Sequence, residues 1–446
     1  MPKDARRIAL EILDGHRFSP SVLTYADSVD QRNRALVKEL VAGVNRWKRL
    51  LDYYISHFSD RPISKLSSRV LNALRLGVYQ LVFMGIPPYA AVDSVVRCMK
   101  NKGERSFVNA VLRTISRSMG HIELPSIDED PLEYAGLRYS FPDWIVTRYF
   151  DYFGFRDGFS LLKYQNVPPP ITLRVNTTKT DRDRLIRMFQ RNGYLVELGK
   201  LPISIKVKKG RAVEDFPGYD QGLFTVQDEG AMAVSLVLDP QPDDLVWDVC
   251  AAPGGKSVHL AELMHPSGMV VASDISAERI NMIDETSKRL GLNNVCTVVL
   301  DATDPQQVKV AFREKGLPVF YDKILVDAPC SGLGTISKNP DIKWSRQESD
   351  VKRLARLQQQ ILQTAVGFLK PGGVLVYSTC TLTSEENQGV WCGFVEDQRI
   401  IVETPLLPEG LRLDRRYPEG SDAYVYLLPH IHETDGFFIA KGRLPR

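Results

Sequence analysis

The chain has 446 residues, 43% of them apolar and 25% charged, the composition of a folded globular protein and more chain than one hydrophobic core usually spans. Its 6 cysteines include no Cys-x-x-Cys pair, which argues against a disulfide framework or a zinc site and fits a reducing cytoplasm. Net charge is only +3, yet residues 1–120 hold 20 Lys and Arg against 10 Asp and Glu, leaving −7 on the rest; a basic block joined to a mildly acidic one fits a polyanion-binding module attached to a different machine, the plainer alternative being a solvated helical surface.

The opening MPKDARRIALEILDG has no long apolar run and no small-residue cleavage site, so no signal peptide is predicted. No later stretch approaches the roughly 20 apolar residues of a membrane span. Apolar residues recur at helical spacing in ALEIL, RALVKELVAGVNRW and RVLNALRLGVYQLVFM. Pro87 and Pro88 interrupt the pattern; AAVDSVVRCMK is a further helix, NKGERS a polar turn, and FVNAVLRTI helix again. These segments predict an all-α domain over residues 1–140, with Pro, Asp and Glu from about 121 to 143 making a linker.

YSFPDWIVTRYFDYFG reads as one more helix, stopped by the triple proline Pro168–Pro170. ITLRVN is a strand, TDRDRLIRMFQRNG a helix, and YLVEL and SIKVK are strands, so residues 141–228 form a small α+β domain closing near GLFTVQDEGA. From 229 to 446 strands and helices alternate. The strands are LVWDVC, MVVASD, CTVVLD, YDKILVDA and GVLVYSTC, with AERINMIDETSKRLG and DVKRLARLQQQILQTAVGFLK among the helices. That rhythm predicts a Rossmann-like α/β domain, a parallel sheet with helices on both faces. YVYLLP and GFFIAKG add sheet at its C-terminal edge.

Within this domain, Asp248-Val-Cys-Ala-Ala-Pro-Gly-Gly-Lys256 follows an apolar strand and opens a helix. Its glycines let backbone approach a ligand closely, and a helix N-terminus favours a negative group. It is not the spaced Gly-x-Gly-x-x-Gly of dinucleotide folds. The next strands each end in an acid: Asp274, Asp301 and Asp327. Ligands of doubly wound sheets sit at the carboxyl ends of strands, where a carboxylate commonly holds ribose hydroxyls. A single such Asp is more simply a helix N-cap. Three on successive strands after a glycine turn point to a nucleoside-containing cofactor.

Two cysteines also fall at strand ends: Cys330 in Asp327-Ala-Pro-Cys-Ser-Gly-Leu-Gly, and Cys380 in Tyr377-Ser-Thr-Cys-Thr. Both are expected to face the cofactor cleft, where a thiolate is a strong nucleophile. A methyltransferase needs one when the acceptor is C5 of cytosine. Addition of sulfur to C6 turns C5 into an enamine-like carbon able to attack a methyl sulfonium. Oxygen and exocyclic amine acceptors need no such help, and the Asp-Ala-Pro-Cys loop lacks the Pro-Pro-aromatic of amine methylation. Cys98, Cys296, Cys392 and also Cys250 read as small buried groups. His430 and His432 could mimic a metal pair but have no evident third ligand, so no metal is expected. Chemistry alone does not choose between Cys330 and Cys380.

The segments DVCAAPGGKS, DAPCSGLGT, YSTCTLTSEEN and LLPHIHETDGFFIAKGRL resemble the RsmB/Sun (Fmu) family of ribosomal RNA cytosine-5 methyltransferases, within the NOL/NOP2/Sun group. PPPITLRVNTTK is similar to that family's small RNA-recognition-like domain, and LRLGVYQLVFMGIPPYAAVDSVV and FVNAVLRTI to its NusB-like helical domain. The resemblance implies a class I methyltransferase domain, S-adenosyl-L-methionine as cofactor and a cytidine of 16S (small-subunit) ribosomal RNA as substrate. It places the cofactor loop on Cys250, Ala251, Ala252, Pro253, Gly254, Gly255 and Lys256, the ribose-binding acid on Asp274 and the adenine-side acid on Asp301. The active-site acid falls on Asp327, the nucleophile on Cys380, and the cysteine that assists product release on Cys330. A monomer is assumed. The competing readings are the same chemistry on transfer RNA or another ribosomal site, and a non-catalytic RNA-binding or antitermination factor.

Overall fold

The computed structural model describes residues 4–15, 31–118, 123–208, 212–398, 400–412 and 422–446. The chain divides into two compact units, Met1–Val167 with Ile336–Ser345, and Pro168–Thr335 with Arg346–Arg446.

The first unit is helical: α1 (Ala5–Asp14), α2 (Gln31–Phe58), α3 (Ser68–Val82), α4 (Pro88–Val96), α5 (Lys102–Ser118), α6 (Pro131–Arg138) and α7 (Asp143–Tyr164). The spaced apolar residues meet inside. Leu40, Val44, Leu51 and Ile55 of α2 pack with Ala73, Leu74 and Val78 of α3 and Leu112 and Ile115 of α5. Pro88 opens α4, where its missing N–H costs nothing. Two expectations are corrected. NKGERS is the first turn of α5 rather than a turn between helices, with the Asn101 side chain accepting from Gly103 N at 2.8 Å. The 121–143 stretch carries α6, started by the Asp130 side chain accepting from Glu133 N at 2.9 Å. Proline at N1 and an Asp cap are helix-start signals that the linker-like composition hid.

Residues 336–345, far along the chain, belong to this unit. Ile336 is fully buried, the Arg46 guanidinium donates to the Ser337 carbonyl at 2.8 Å, and the Trp344 indole N–H donates to the Asn45 carbonyl at 2.6 Å. Lys343 is only 1% exposed. Its ammonium donates to the carbonyls of Arg46 (3.0 Å) and Ser140 (3.1 Å) and to the Asn166 side-chain oxygen (2.7 Å), and lies 3.6 Å from the Phe141 ring centre.

The second unit opens with an antiparallel sheet of order β2-β3-β1-β4: β1 (Ile171–Val175), β2 (Val196–Leu198), β3 (Ser204–Val207) and β4 (Phe224–Val226). Helix α8 (Arg182–Arg191) covers it over a core of Leu173, Val175, Leu185, Phe189 and Phe224. Strand β4, absent from the sequence reading, is only three residues long, too short for alternation to register.

The rest follows the predicted alternation: α9 (Glu229–Leu238), β5 (Leu245–Asp248), α10 (Gly255–Met264), β6 (Met269–Asp274), α11 (Ala277–Leu290), β7 (Val295–Val299), α12 (Pro305–Glu314), β8 (Tyr321–Asp327), α13 (Glu348–Val366), β9 (Leu369–Thr379), α14 (Gln388–Gln398), β10 (Ile401–Glu403), β11 (Tyr424–Leu427) and β12 (Phe437–Arg443). Sheet order is β10-β12-β9-β8-β5-β6-β7, with β11 also on β12. Strands β7, β6, β5, β8 and β9 are parallel, and β12 runs antiparallel to β9. This is the Rossmann-like domain with the extra C-terminal sheet expected from YVYLLP and GFFIAKG. Among the described residues no helix is long and apolar enough to cross a membrane.

Candidate active site

Strand order reverses between β5 and β8, and the residues following these two strands meet there. After β5 the chain turns through Cys250–Gly254 into α10. Gly254 has φ +100°, and a Cβ on it would meet Ile283 at 3.0 Å, so only glycine suits this turn. Lys256, in the first turn of α10, donates to Asp327 at the end of β8 at 2.6 Å, and Ser378 of β9 donates to the other oxygen of Asp327 at 2.7 Å. Burial opposes the Lys256 charge, but the charge and hydrogen bond of Asp327 outweigh it and raise its pKa, so the ammonium persists at neutral pH.

Cys330 and Cys380 come together because β8 and β9 are parallel neighbours paired Asp327↔Ser378. Each cysteine lies just beyond its strand, and the sulfurs are 3.4 Å apart, both half-buried. The hydrogen bond to Cys380, then burial, then the charges of Cys380, Glu386 and Asp327 push the Cys330 thiol well above its ordinary range.

The acids at the ends of β6 and β7 are arranged differently. Asp274 is nearly buried; its carboxylate accepts from Ala252 N (3.3 Å) and Ser276 N (3.0 Å) and faces Arg279 at 3.4 Å. It thereby joins the cofactor loop to the start of α11. Asp301 is half-buried and accepts from Thr303 N and Oγ1 at 2.9 and 2.7 Å, folding the turn before α12. Two carboxylates at adjacent strand ends beside a glycine turn make an acceptor set that fits a nucleoside with free ribose hydroxyls. Cys250 is half-buried in the loop, its thiol pushed well up by burial and then by Asp248, Asp274 and Asp327.

Of the cysteines read as buried, Cys98 is, Cys296 is half-buried, and Cys392 is exposed. The last is a correction: Val390, Trp391 and Phe394 take the inner face of α14 and turn Cys392 outward. Buried His432 has its pKa pushed down to about 4, mainly by burial, and its Nδ1 accepts from Leu428 N at 2.9 Å. Among the described residues no group of three His, Cys, Asp or Glu could hold a metal.

Two supporting residues escaped the sequence reading. Glu386 is completely buried behind the cysteines, within the YSTCTLTSEEN segment that carried the resemblance. Arg174 of β1 is also fully buried; it pairs with Glu262 of α10 at 2.8 Å and donates to the Gly255 carbonyl at 3.0 Å, tying the small sheet to the cofactor loop. A charged residue inside the apolar run ITLRVN was the available signal.

Residues 235–443 match the family described as 16S rRNA methyltransferase RsmB/F, residues 3–117 the NusB family, and residues 141–214 the RsmF/B-like ferredoxin-like domain. The chain is 37% identical over 94% of its length to the probable ribosomal RNA small subunit methyltransferase B of Bacillus subtilis (strain 168), covering 92% of that protein. It is 35% identical over 98% of its length to ribosomal RNA small subunit methyltransferase B of Pasteurella multocida (strain Pm70), covering 95% of it. The chain belongs to the RsmB/F family of 16S rRNA methyltransferases. Like other RsmB/F members it uses S-adenosylmethionine, and the resemblance carried by the four sequence segments is borne out, as are the helical, small α+β and Rossmann-like parts of its fold. Among solved structures, the crystal structure of PH0851 superposes with a TM-score of 0.80 at 26% identity, over 99% of this chain and 98% of that one. NSun6 from Pyrococcus horikoshii, crystallised with SFG, an analogue of S-adenosylmethionine, gives 0.60 at 25% identity, over 69% of this chain and 99% of that one.

Proposed function

We propose that this RsmB/F methyltransferase methylates C5 of a cytidine in small-subunit ribosomal RNA, with Cys380 adding to C6 and Cys330 assisting product release. The observation that carries this reading is the pair of sulfurs 3.4 Å apart beside the Lys256–Asp327 ion pair. One reaction with an addition and an elimination has work for two thiols, whereas direct transfer to an amine or oxygen has work for neither.

Cys380 attacks as the thiolate, forming the Sγ–C6 bond and loading electron density onto C5. S-adenosylmethionine, when bound, supplies the methyl group as an electrophile. The C5 proton then leaves to a base as the Sγ–C6 bond breaks and its electron pair returns to sulfur. Cys330, kept protonated by its surroundings, is suited to give a proton to that departing sulfur. Asp327, fixed by Lys256 and Ser378, retains lone pairs for the exocyclic amine of the base. The loop Cys250–Lys256 would hold the cofactor, with Asp274 on the ribose hydroxyls and Asp301 on the adenine side.

The charge pattern supports a division of labour in which the basic helical part, 1–140, contacts RNA phosphates, 141–228 serves as a small RNA-recognition-like domain, and 229–446 is catalytic in a cytoplasmic enzyme. A base methylated on a ring carbon must be unstacked, so a loop or flipped nucleotide is the expected target. The test is to map 5-methylcytidine in ribosomal RNA with and without the gene, and to compare two variants in vitro. Cys380→Ala is expected to give neither methyl transfer nor adduct. Cys330→Ala is expected to methylate and then stall as a denaturant-resistant protein–RNA band. A trapped adduct in Cys380→Ala alone would reverse the assignment, and full activity in both variants would end the thiolate mechanism.

A further inference from the structure

We propose that Glu386 is a positioning residue for this reaction: its buried carboxylate ties the loop after β8 to the loop after β9 and so sets the two sulfurs against each other. The proposal rests on the two-cysteine reading above.

Glu386 is 0% exposed. One oxygen accepts from the backbone N–H of Ser331, the residue next to Cys330, at 2.8 Å, and from Gln358 Nε2 at 3.1 Å. The other accepts from Ser331 Oγ at 2.5 Å and Thr383 Oγ1 at 2.8 Å. Ser331 and Thr381 are joined hydroxyl to hydroxyl at 2.6 Å, and Gln358 also donates to the Pro329 carbonyl at 2.9 Å. Both neighbours of Cys330 are thus held by a network centred on one carboxylate. The same carboxylate holds Thr383, three residues past Cys380. Tyr377 donates to the Glu386 backbone carbonyl at 2.5 Å, which fixes the start of α14 against β9.

A structural clamp need not be charged. Serine, threonine and glutamine hydroxyls and amides would satisfy a glutamine here almost as well, because hydroxyl groups can donate or accept. Every partner of Glu386 named above is neutral, so its charge is felt by what lies beyond them. Among the groups that feel this charge is Cys330, where an anion disfavours the thiolate. Position and charge therefore act together: the network sets the sulfur–sulfur contact, and the anion keeps Cys330 a thiol.

Three variants separate the two effects from simple loss of packing. Glu386→Gln removes charge and keeps reach, Glu386→Asp keeps charge and shortens reach, and Cys380→Ala isolates Cys330 as the reporting thiol. In the Cys380→Ala background, the pH midpoint for alkylation of Cys330 by iodoacetamide should fall by about one unit or more on Glu386→Gln and stay near its parent on Glu386→Asp. With Cys380 present, both Glu386 variants should slow single-turnover methyl transfer by about tenfold or more, with cofactor affinity unchanged. An unmoved alkylation midpoint together with a parental transfer rate in Glu386→Gln would overturn the proposal. If Glu386→Gln does not fold, a parental transfer rate in Glu386→Asp would do so. The alkylation profile needs no RNA. It therefore distinguishes failure of this inference from failure of the cytosine-5 reading, which would appear as methyl transfer to another atom.

Discussion

Asp274 has a structural task of its own. Its carboxylate already accepts from Ala252 N and Ser276 N, so it shapes the loop it would share with the cofactor. Replacement by Ala should weaken S-adenosylmethionine binding by about 1–3 kcal/mol, the usual loss for a hydrogen bond to a charged group. Titration calorimetry reads this directly, and unchanged affinity would remove Asp274 from the cofactor site. At this scale the sequence singled out the candidate residues, because acids and thiols at strand ends are conspicuous. It did not show what they lean on. Lys256 was read as part of a cofactor loop, and only the pairing of β5 with β8 reveals it as the partner of Asp327. Glu386 lies six residues past Cys380, a spacing that implies contact only once β9 and α14 are seen to fold back on each other.

The pairing of β8 with β9 does what neither strand could do alone. Parallel register carries two distant sequence positions to one end of the sheet, and the loops beyond then close on each other. Gly334 shows how tightly. Its N–H donates to the Cys380 carbonyl at 2.9 Å, and a Cβ there would lie 2.7 Å from that oxygen and 2.2 Å from the Gly436 carbonyl. Both obstacles are backbone, so Gly334→Ala must displace the Cys380 turn or the segment before β12. The expected cost is about 1–3 kcal/mol of stability. Methyl transfer should fall more than cofactor binding, since the cofactor loop lies on β5 and is not touched; equal losses in the two assays would count against this. The five parallel strands were legible because buried parallel strands are near-continuous β-branched runs. Strand β4 and helix α6 were not, being short and written in polar or proline-rich sequence.

Residues 336–345 return the chain to its first unit. A buried lysine is costly unless its N–H groups find acceptors, and Lys343 donates to three backbone carbonyls and the Asn166 side chain beside an aromatic face. Lys343→Met would fill the space but leave those oxygens without a donor. A loss of about 1–3 kcal/mol in the urea unfolding of the helical unit is expected. An unchanged midpoint would mean that the ammonium contributes nothing to the fold. None of this was legible in sequence. Contacts separated by 291 and 299 residues, Arg46 to Ser337 and Asn45 to Trp344, leave no periodic signal.

The late return of the chain to its first unit also imposes an order on biosynthesis. Residues 1–167 leave the ribosome well before residue 336, and at ordinary elongation rates the interval is roughly ten to thirty seconds. During that time the helices can collapse around Leu40, Leu74 and Leu112, but the place later taken by Ile336, Lys343 and Trp344 stays open to water. The nascent domain is therefore a partly finished object, and it is completed only when the segment following β8 has been synthesised. An isolated N-terminal fragment would stay in that state for good, and a synthetic peptide spanning 336–345 should bind and stabilise it.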